Sequence, residues 1–79
     1  MKVLYIASRG VNDPTGASMP LHLAANGSAE VGQEVTLVLG GDATLLARKD
    51  TADAVHGVGI PPAADLFAKL AEHEVPVYV

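Results

Sequence analysis

The chain has 79 residues, a net charge of −4 and no cysteine, and 49% of its residues are apolar. This length predicts one small domain, residues 1–79, of marginal stability unless it associates, and the missing cysteines exclude disulfides and thiolate metal sites. The five basic residues do not cluster, which argues against nucleic-acid binding, and no apolar run approaches the roughly 20 residues of a membrane span, so we expect a cytoplasmic protein.

The first predicted element is a strand at residues 2–7, with the sequence KVLYIA. A nearly continuous apolar run of this length is typical of a parallel strand that is covered on both faces. Residues 8–16 are dense in turn-forming residues and predict a loop.

The next segment has helical periodicity from residue 18 to residue 32. Ser18 is the predicted N-cap, Pro20 then falls in the first turn, and Gly32 is the predicted stop. Small and apolar residues recur at the i, i+3, i+4, i+7 spacing of a buried helical stripe. The stripe comprises Leu21, Ala24, Ala25, Ser28 and Val31.

Residues 34–39, EVTLVL, predict a second strand, and a Gly-Gly-Asp turn follows it at residues 40–42. Asp42 is the predicted N-cap of a second helix that runs to about Val55. The side of this helix that we expect to be buried carries Ala43, Leu46, Ala47 and Ala54.

Residues 56–62 predict a loop, and Pro62 suits the first turn of a third helix. Residues 76–79 then predict a third strand. Strands that alternate with helices in the order β-α-β-α-α-β indicate an α/β protein with a parallel sheet. The third helix has the clearest apolar stripe of the chain, which comprises Ala63, Leu66, Phe67, Leu70 and Ala71.

The loops after the first two strands are the predicted ligand-binding region, because open α/β sheets bind ligands beyond the carboxyl ends of their strands. Neither loop matches G-x-G-x-x-G or the Walker pattern, so a polar turn with a helix cap is the competing interpretation. Arg9 is the cation expected to face this region, and the loop that His56 begins borders it. The candidate residues are Ser8, Arg9, Asp13, Thr15, Gly16, Ser18, Gly40, Gly41, Asp42 and His56.

Catalytic and metal-binding patterns are not recognisable in the sequence. None of the histidines, His22, His56 and His73, has a metal-ligand partner at i+3 or i+4. No serine lies in a G-x-S-x-G motif, and the acidic residues form no acid–base couple. We therefore predict no catalytic residue, no metal ion and no cofactor for this chain.

Several segments, taken in order and spacing, resemble the DsrE/DsrF family of small sulfur-relay and peroxiredoxin-like proteins. No single segment is specific, but together they cover essentially the whole chain. The segments are Asp13-Pro14, residues 19–24 (MPLHLA), residues 31–39 (VGQEVTLVL), residues 41–43 (GDA), residues 57–62 (GVGIPP) and residues 75–79 (VPVYV).

The resemblance implies a flavodoxin-like, three-layer α/β/α sandwich with about five parallel strands, of which residues 1–79 hold about three. It also implies homo-oligomers, either trimers or hexamers, and sulfur-relay protein partners. Sulfur-transfer members carry a persulfide on a cysteine directly after the strand that here ends at Val79. One hypothesis for the end of the sequence at Val79 is that the next position is selenocysteine, whose codon can be read as a stop codon. The rival explanations are a deliberate truncation, a proteolytic fragment and a genuinely short relative.

Two functional hypotheses stay open at this point. The first is an intracellular sulfur-relay or thiol-redox protein of the DsrE type that lacks its sulfur-carrying residue and is inactive as this chain. The alternative is a non-catalytic module that binds a small anion or a nucleotide, or that serves oligomeric assembly.

Overall fold

The computed structural model describes residues 1–79. The predicted order of strands and helices is confirmed, with additional breaks inside two of the helical regions. The elements are β1 (Lys2–Ala7), α1 (Pro14–His22) continued by a π-helical segment (Leu23–Ser28), β2 (Glu34–Leu39), a 3₁₀ helix (Gly41–Ala47), α2 (Lys49–Asp53), α3 (Ala63–Glu72) and β3 (Val77–Tyr78). None of the helices is both long and apolar enough to cross a membrane.

The three strands form one parallel sheet, as predicted, in the order β1-β2-β3. In the register, Tyr5 lies beside Leu37, and Leu37 lies beside Val77. The central strand is therefore β2, and both outer strands leave one edge unpaired within this sheet.

The helices cover one face of the sheet. Crossovers between parallel strands are right-handed in nearly all proteins, so two crossovers that add strands in the same direction place their helices on the same face. Accordingly Val35, Leu37 and Leu39 are at most 4% exposed and share one core cluster with residues of α1 and α3. Residues 1–79 thus contain three strands and one helical layer of the predicted sandwich.

The opposite face of the sheet is open. Leu4 and Ile6 of β1 are 60% and 63% exposed, and Tyr78 of β3 is 59% exposed. We expected β1 to be covered on both faces, and within residues 1–79 that expectation is wrong. The apolar run is real, but its alternate side chains point away from the helices.

The first helix begins five residues earlier than predicted, because Asp13 and not Ser18 is its N-cap. The Asp13 side chain accepts a hydrogen bond from the Gly16 amide, and Pro14 occupies the first helical position. An aspartate cap followed by proline is a favourable helix start, although the same dipeptide also suits a turn. Ser18 is buried inside the helix, where its hydroxyl donates to the Pro14 carbonyl at 2.8 Å.

Pro20 consequently lies inside the helix and not in its first turn. Its missing N–H leaves the Gly16 carbonyl without the usual i+4 donor. Beyond it the helix widens into the π-helical segment, in which the Ala29 amide donates to the carbonyl of Ala24, five residues back. Gly32 adopts φ +81 and ends the turn that follows, close to the predicted stop.

The predicted second helix is in fact two short helices. Arg48 has an extended backbone and separates the 3₁₀ helix from α2, and its guanidinium pairs with Asp50 at 3.0 Å. The 3₁₀ helix has Gly40 at its N-cap position, so Asp42 lies in the first turn and does not cap it. Its three-residue repeat places Ala43 and Leu46 on one buried side, whereas Ala47 and Ala54 are exposed.

The third helix follows four of the five residues of the predicted stripe. Ala63, Leu66 and Leu70 are buried, Phe67 is half-buried against the core, and Ala71 is exposed, so its predicted place in the stripe is wrong. Pro62 precedes the helix at the N-cap position and is not inside the first turn. The third strand is shorter than predicted, since only Val77 and Tyr78 pair with β2.

Candidate functional site

The carboxyl ends of β1 and β2 meet at one edge of the sheet, which we call the strand-end edge and define as residues 8–13 and 40–42. The Gly40 amide donates to the Ala7 carbonyl at 2.9 Å and continues the pairing of the two strands into the loops. Gly41 has φ +54 and lies beside the Ser8 carbonyl. Ser8, Gly40, Gly41 and Asp42 are therefore brought together, as their positions after parallel strands predict.

Gly10 is the residue that lets the two loops approach each other. It is buried, and a Cβ at this position would lie 2.6 Å from the Asp42 carbonyl oxygen. Only a glycine fits so close to another backbone. Its place in the first loop is the sequence signal for this contact, but sequence alone does not identify which backbone it meets.

A cavity of about 200 Å³ opens at the strand-end edge. Its lining combines Asp42 with the apolar residues Val11 and Leu45, which are 56% and 55% exposed. Gly10 and Asn12 complete the lining. Sequence reasoning named only Asp42 among these five, because exposed valine and leucine carry no recognisable chemical signal.

Asp13 and Arg9 form an ion pair beside this cavity, at the start of α1. One oxygen of Asp13 accepts the Gly16 amide at 3.0 Å, and the other accepts the Arg9 guanidinium at 3.3 Å. An anion at this helix N-terminus would compete with the Asp13 carboxylate for the same donors. The close approach of this carboxylate also explains Gly16, where a Cβ would overlap it.

Thr15 and Ser18 face a different neighbour, the loop at residues 56–60. The Val58 amide donates to the Thr15 hydroxyl at 3.0 Å, and a Cβ on Gly57 would lie 3.2 Å from both Thr15 and Ser18. These contacts fasten the loop to α1. Ser18 is fully buried, so its side chain is not available at the surface.

His56 is exposed at the start of the same loop, where its Nε2 donates to the Asp53 carbonyl at 3.1 Å. This bond joins it to the end of α2 and to none of the other candidate residues. No group of three or more His, Cys, Asp or Glu side chains is arranged to hold a metal ion.

Three larger concavities lie elsewhere on the molecule. One of about 730 Å³ lies at the opposite edge, around the amino ends of β1 and β2 and the turn at residues 73–76. The second, of about 600 Å³, is an apolar groove between α2, α3 and β3. The third, also of about 600 Å³, is a mostly polar depression on the outer side of α3 beside Glu30. We favour the strand-end edge despite its smaller cavity, because functional loops of parallel sheets follow the carboxyl ends of the strands.

Comparison with known proteins agrees with the fold. A model of the DsrE/DsrF-like family matches residues 1–79, which is the whole length of the chain. Neither the search of the curated proteins nor the search of the solved structures found a match. The parallel α/β architecture and the full-length family match together show that this chain belongs to the DsrE/DsrF-like family.

Proposed function

We propose that the protein takes part in sulfur relay or thiol-redox chemistry of the DsrE type, and that residues 1–79 are not themselves the sulfur carrier. The observation that carries the proposal is the family match over the whole of a chain that contains no cysteine. Family membership suggests a sulfur-relay type of function, and the composition limits what this chain can do in it.

The limit follows from the chemistry of sulfane sulfur. A carrier thiolate attacks the sulfane sulfur of a donor, forms a new S–S bond and displaces the donor's leaving group. The product is a persulfide, which a second thiolate then takes over. Serine and histidine form no transferable persulfide, so the handover needs a thiol or a selenol that residues 1–79 do not supply.

The end of β3 is the place where the family resemblance expects that group. Val79 lines the apolar groove between α2 and α3, and the Lys49–Asp53 ion pair lines the same groove. Because Asp53 pairs with Lys49 at 2.9 Å, the groove offers the carrier chiefly an apolar surface. In the proposal, the groove and the strand-end edge form the surroundings of the sulfur carrier. The selenocysteine hypothesis is tested by reading the gene beyond codon 79.

The experiment adds a thiol and measures the sulfur that it retains. The native chain, a chain extended by Gly-Cys after Val79, and a Glu72→Cys control on the exposed side of α3 are treated with polysulfide, and the bound sulfane sulfur is measured by cyanolysis. We expect no sulfur on the native chain and more on the extended chain than on the control. Equal loading of the two thiols, or sulfur on the native chain, would contradict the proposal.

The alternative function, binding of a small anion, has one supporting observation. The Arg9 guanidinium lies at the strand-end edge and is 65% exposed, although Asp13 pairs with it. Calorimetry with sulfite and with ATP on the native chain and on Arg9→Ala tests it: heat that disappears in the variant supports the alternative, and no heat with either anion excludes it for these ligands.

Association and location belong to the same proposal. A trimer or a hexamer and relay-protein partners stay predictions from the family resemblance, and a cytoplasmic location stays a prediction from the composition. Sedimentation velocity over a concentration series measures the oligomeric state directly.

A further inference from the structure

A row of polar side chains joins the first helix to α3, away from the strand-end edge. The Lys69 ammonium donates to Asn26 Oδ1 at 2.5 Å and to Glu30 Oε1 at 2.6 Å. Asn26 Nδ2 donates to His22 Nδ1 at 3.1 Å, and His73 Nε2 lies 3.8 Å from the other Glu30 oxygen. We call these five residues, His22, Asn26, Glu30, Lys69 and His73, the polar ladder.

Asn26 lies between His22 and Lys69 in the polar ladder, and both ends of its amide are engaged. Lys69 fixes the carbonyl oxygen and His22 accepts from the amide nitrogen, so the side chain is held toward α3. The hydrogen bond from Lys69, with the charge of Lys69 next, lowers the pKa of Glu30, so Lys69 has an anionic partner besides the neutral Asn26 amide.

Asn26 is also followed by Gly27, and this dipeptide is chemically reactive. The backbone nitrogen of the following residue attacks the asparagine Cγ, a C–N bond forms, and ammonia leaves to give a succinimide. Water then opens the ring to aspartate or isoaspartate. Glycine favours the attack because it has no Cβ beside its nitrogen and rotates freely.

We propose that Asn26 is a site of spontaneous deamidation that the polar ladder guards in the folded chain. The ring closes only when the Asn26 side chain turns from α3 toward the Gly27 nitrogen. That turn breaks its bonds to Lys69 and His22, and the helical backbone of residues 23–28 must open as well, since its N–H groups are used within the helix. Deamidation therefore reports local opening of the segment between α1 and β2.

The products would weaken the same junction. Aspartate at position 26 still accepts from Lys69, but it has no N–H for His22 and adds a carboxylate near Glu30. Isoaspartate inserts an extra backbone atom into the π-helical segment. Either product weakens the hydrogen bonds between the first helix and α3. Deamidation of Asn26 therefore promotes further opening of the segment between α1 and β2.

The test follows conversion of Asn26 by peptide mass spectrometry in mildly alkaline buffer. The native folded chain is compared with the same chain unfolded in urea and with the Lys69→Met variant. Lys49→Met is the matched control, because Lys49 pairs with Asp53 within α2 and has no bond to Asn26. We expect slow conversion in the folded chain, fast conversion in urea, and in Lys69→Met an increase of about fivefold, which is the effect of one lost hydrogen bond on local opening.

Gly27→Ala checks that the reaction is the one proposed. A Cβ at Gly27 meets nothing within 4 Å, so this variant keeps the fold while it slows ring closure. Conversion in the folded chain as fast as in urea would overturn the proposal without reliance on any variant. A Lys69→Met rate equal to that of the native chain or of Lys49→Met would overturn it as well.

Discussion

The two faces of the sheet are built from the same three strands but have opposite surroundings. Leu37 and its neighbours on one face are almost wholly buried under α1 and α3, whereas Leu4, Ile6 and Tyr78 on the other face are more than half exposed. The strand sequences alone do not distinguish the faces, because both carry large apolar side chains. The direction of the crossovers does distinguish them, since it places every helix of residues 1–79 on one face.

The largest expected effect comes from truncating matched residues on the two faces. Leu37→Ala removes a fully buried side chain from the central strand, and we expect a loss of about 3 kcal/mol in the free energy of unfolding. Val38→Ala, its neighbour on the open face, should cost about 1 kcal/mol or less. Urea unfolding measures both, and equal losses would show that the open face is covered.

The second prediction concerns the loops into which the two buried strand ends lead. Gly10→Ala places a Cβ 2.6 Å from the Asp42 carbonyl oxygen and must push the two loops apart, at a cost of about 1–3 kcal/mol. Gly40→Ala, two residues before Asp42, meets nothing within 4 Å and should cost far less. Thermal unfolding compares the two variants; a well-tolerated Gly10→Ala would mean that the loops are not in contact.

The third prediction uses the two tyrosines, one on each face. The Tyr5 hydroxyl lies 2.7 Å from the Ser28 hydroxyl, which is nearly buried, so Tyr5→Phe should destabilise the chain by about 1 kcal/mol. Tyr78 is 59% exposed, and Tyr78→Phe should leave stability unchanged within about 0.5 kcal/mol. The reverse order of effects in urea unfolding would contradict the assignment of the faces.

The smallest effect is expected at the outer surface of the helical layer. The Lys69 hydrogen bond lowers the pKa of Glu30 below its usual value of 4.5. The resulting stabilisation is present above the unfolded-state pKa and is lost as the pH falls through the lower folded-state pKa. Glu30 is about half exposed, so the effect is small. Lys69→Met should flatten the acid limb of a stability–pH profile, and an unchanged limb would exclude the linkage.

The sequence predicts the elements that depend on local patterns. The apolar runs at Lys2–Ala7 and Glu34–Leu39 and the stripe of Ala63–Glu72 each match the structure. These signals are strong because the buried apolar residues recur at the spacing of the strand or helix that they form.

The sequence does not predict features for which a local pattern fits two structures, or features that depend on distant partners. Asp13-Pro14 is compatible with a turn and with a helix start. The hydrogen bond from the Gly16 amide to the Asp13 side chain shows that it starts a helix. The break at Arg48 interrupts a segment that the sequence predicts as one helix, although Asp50, Thr51 and Asp53 weaken its apolar stripe. At the candidate site, spacing after the strands predicts Ser8 and Asp42 together, but the approach of Gly10 to Asp42 needs the three-dimensional structure.

Oxidative footprinting by hydroxyl radicals tests the central claim of one covered and one open face most directly. It should be done at a concentration where sedimentation shows a monomer, with peptide mass spectrometry to locate the oxidised side chains. We predict strong oxidation of Leu4 and Ile6 and protection of Leu37 and Leu39. Protection of Leu4 and Ile6 at the level of Leu37 would contradict the account.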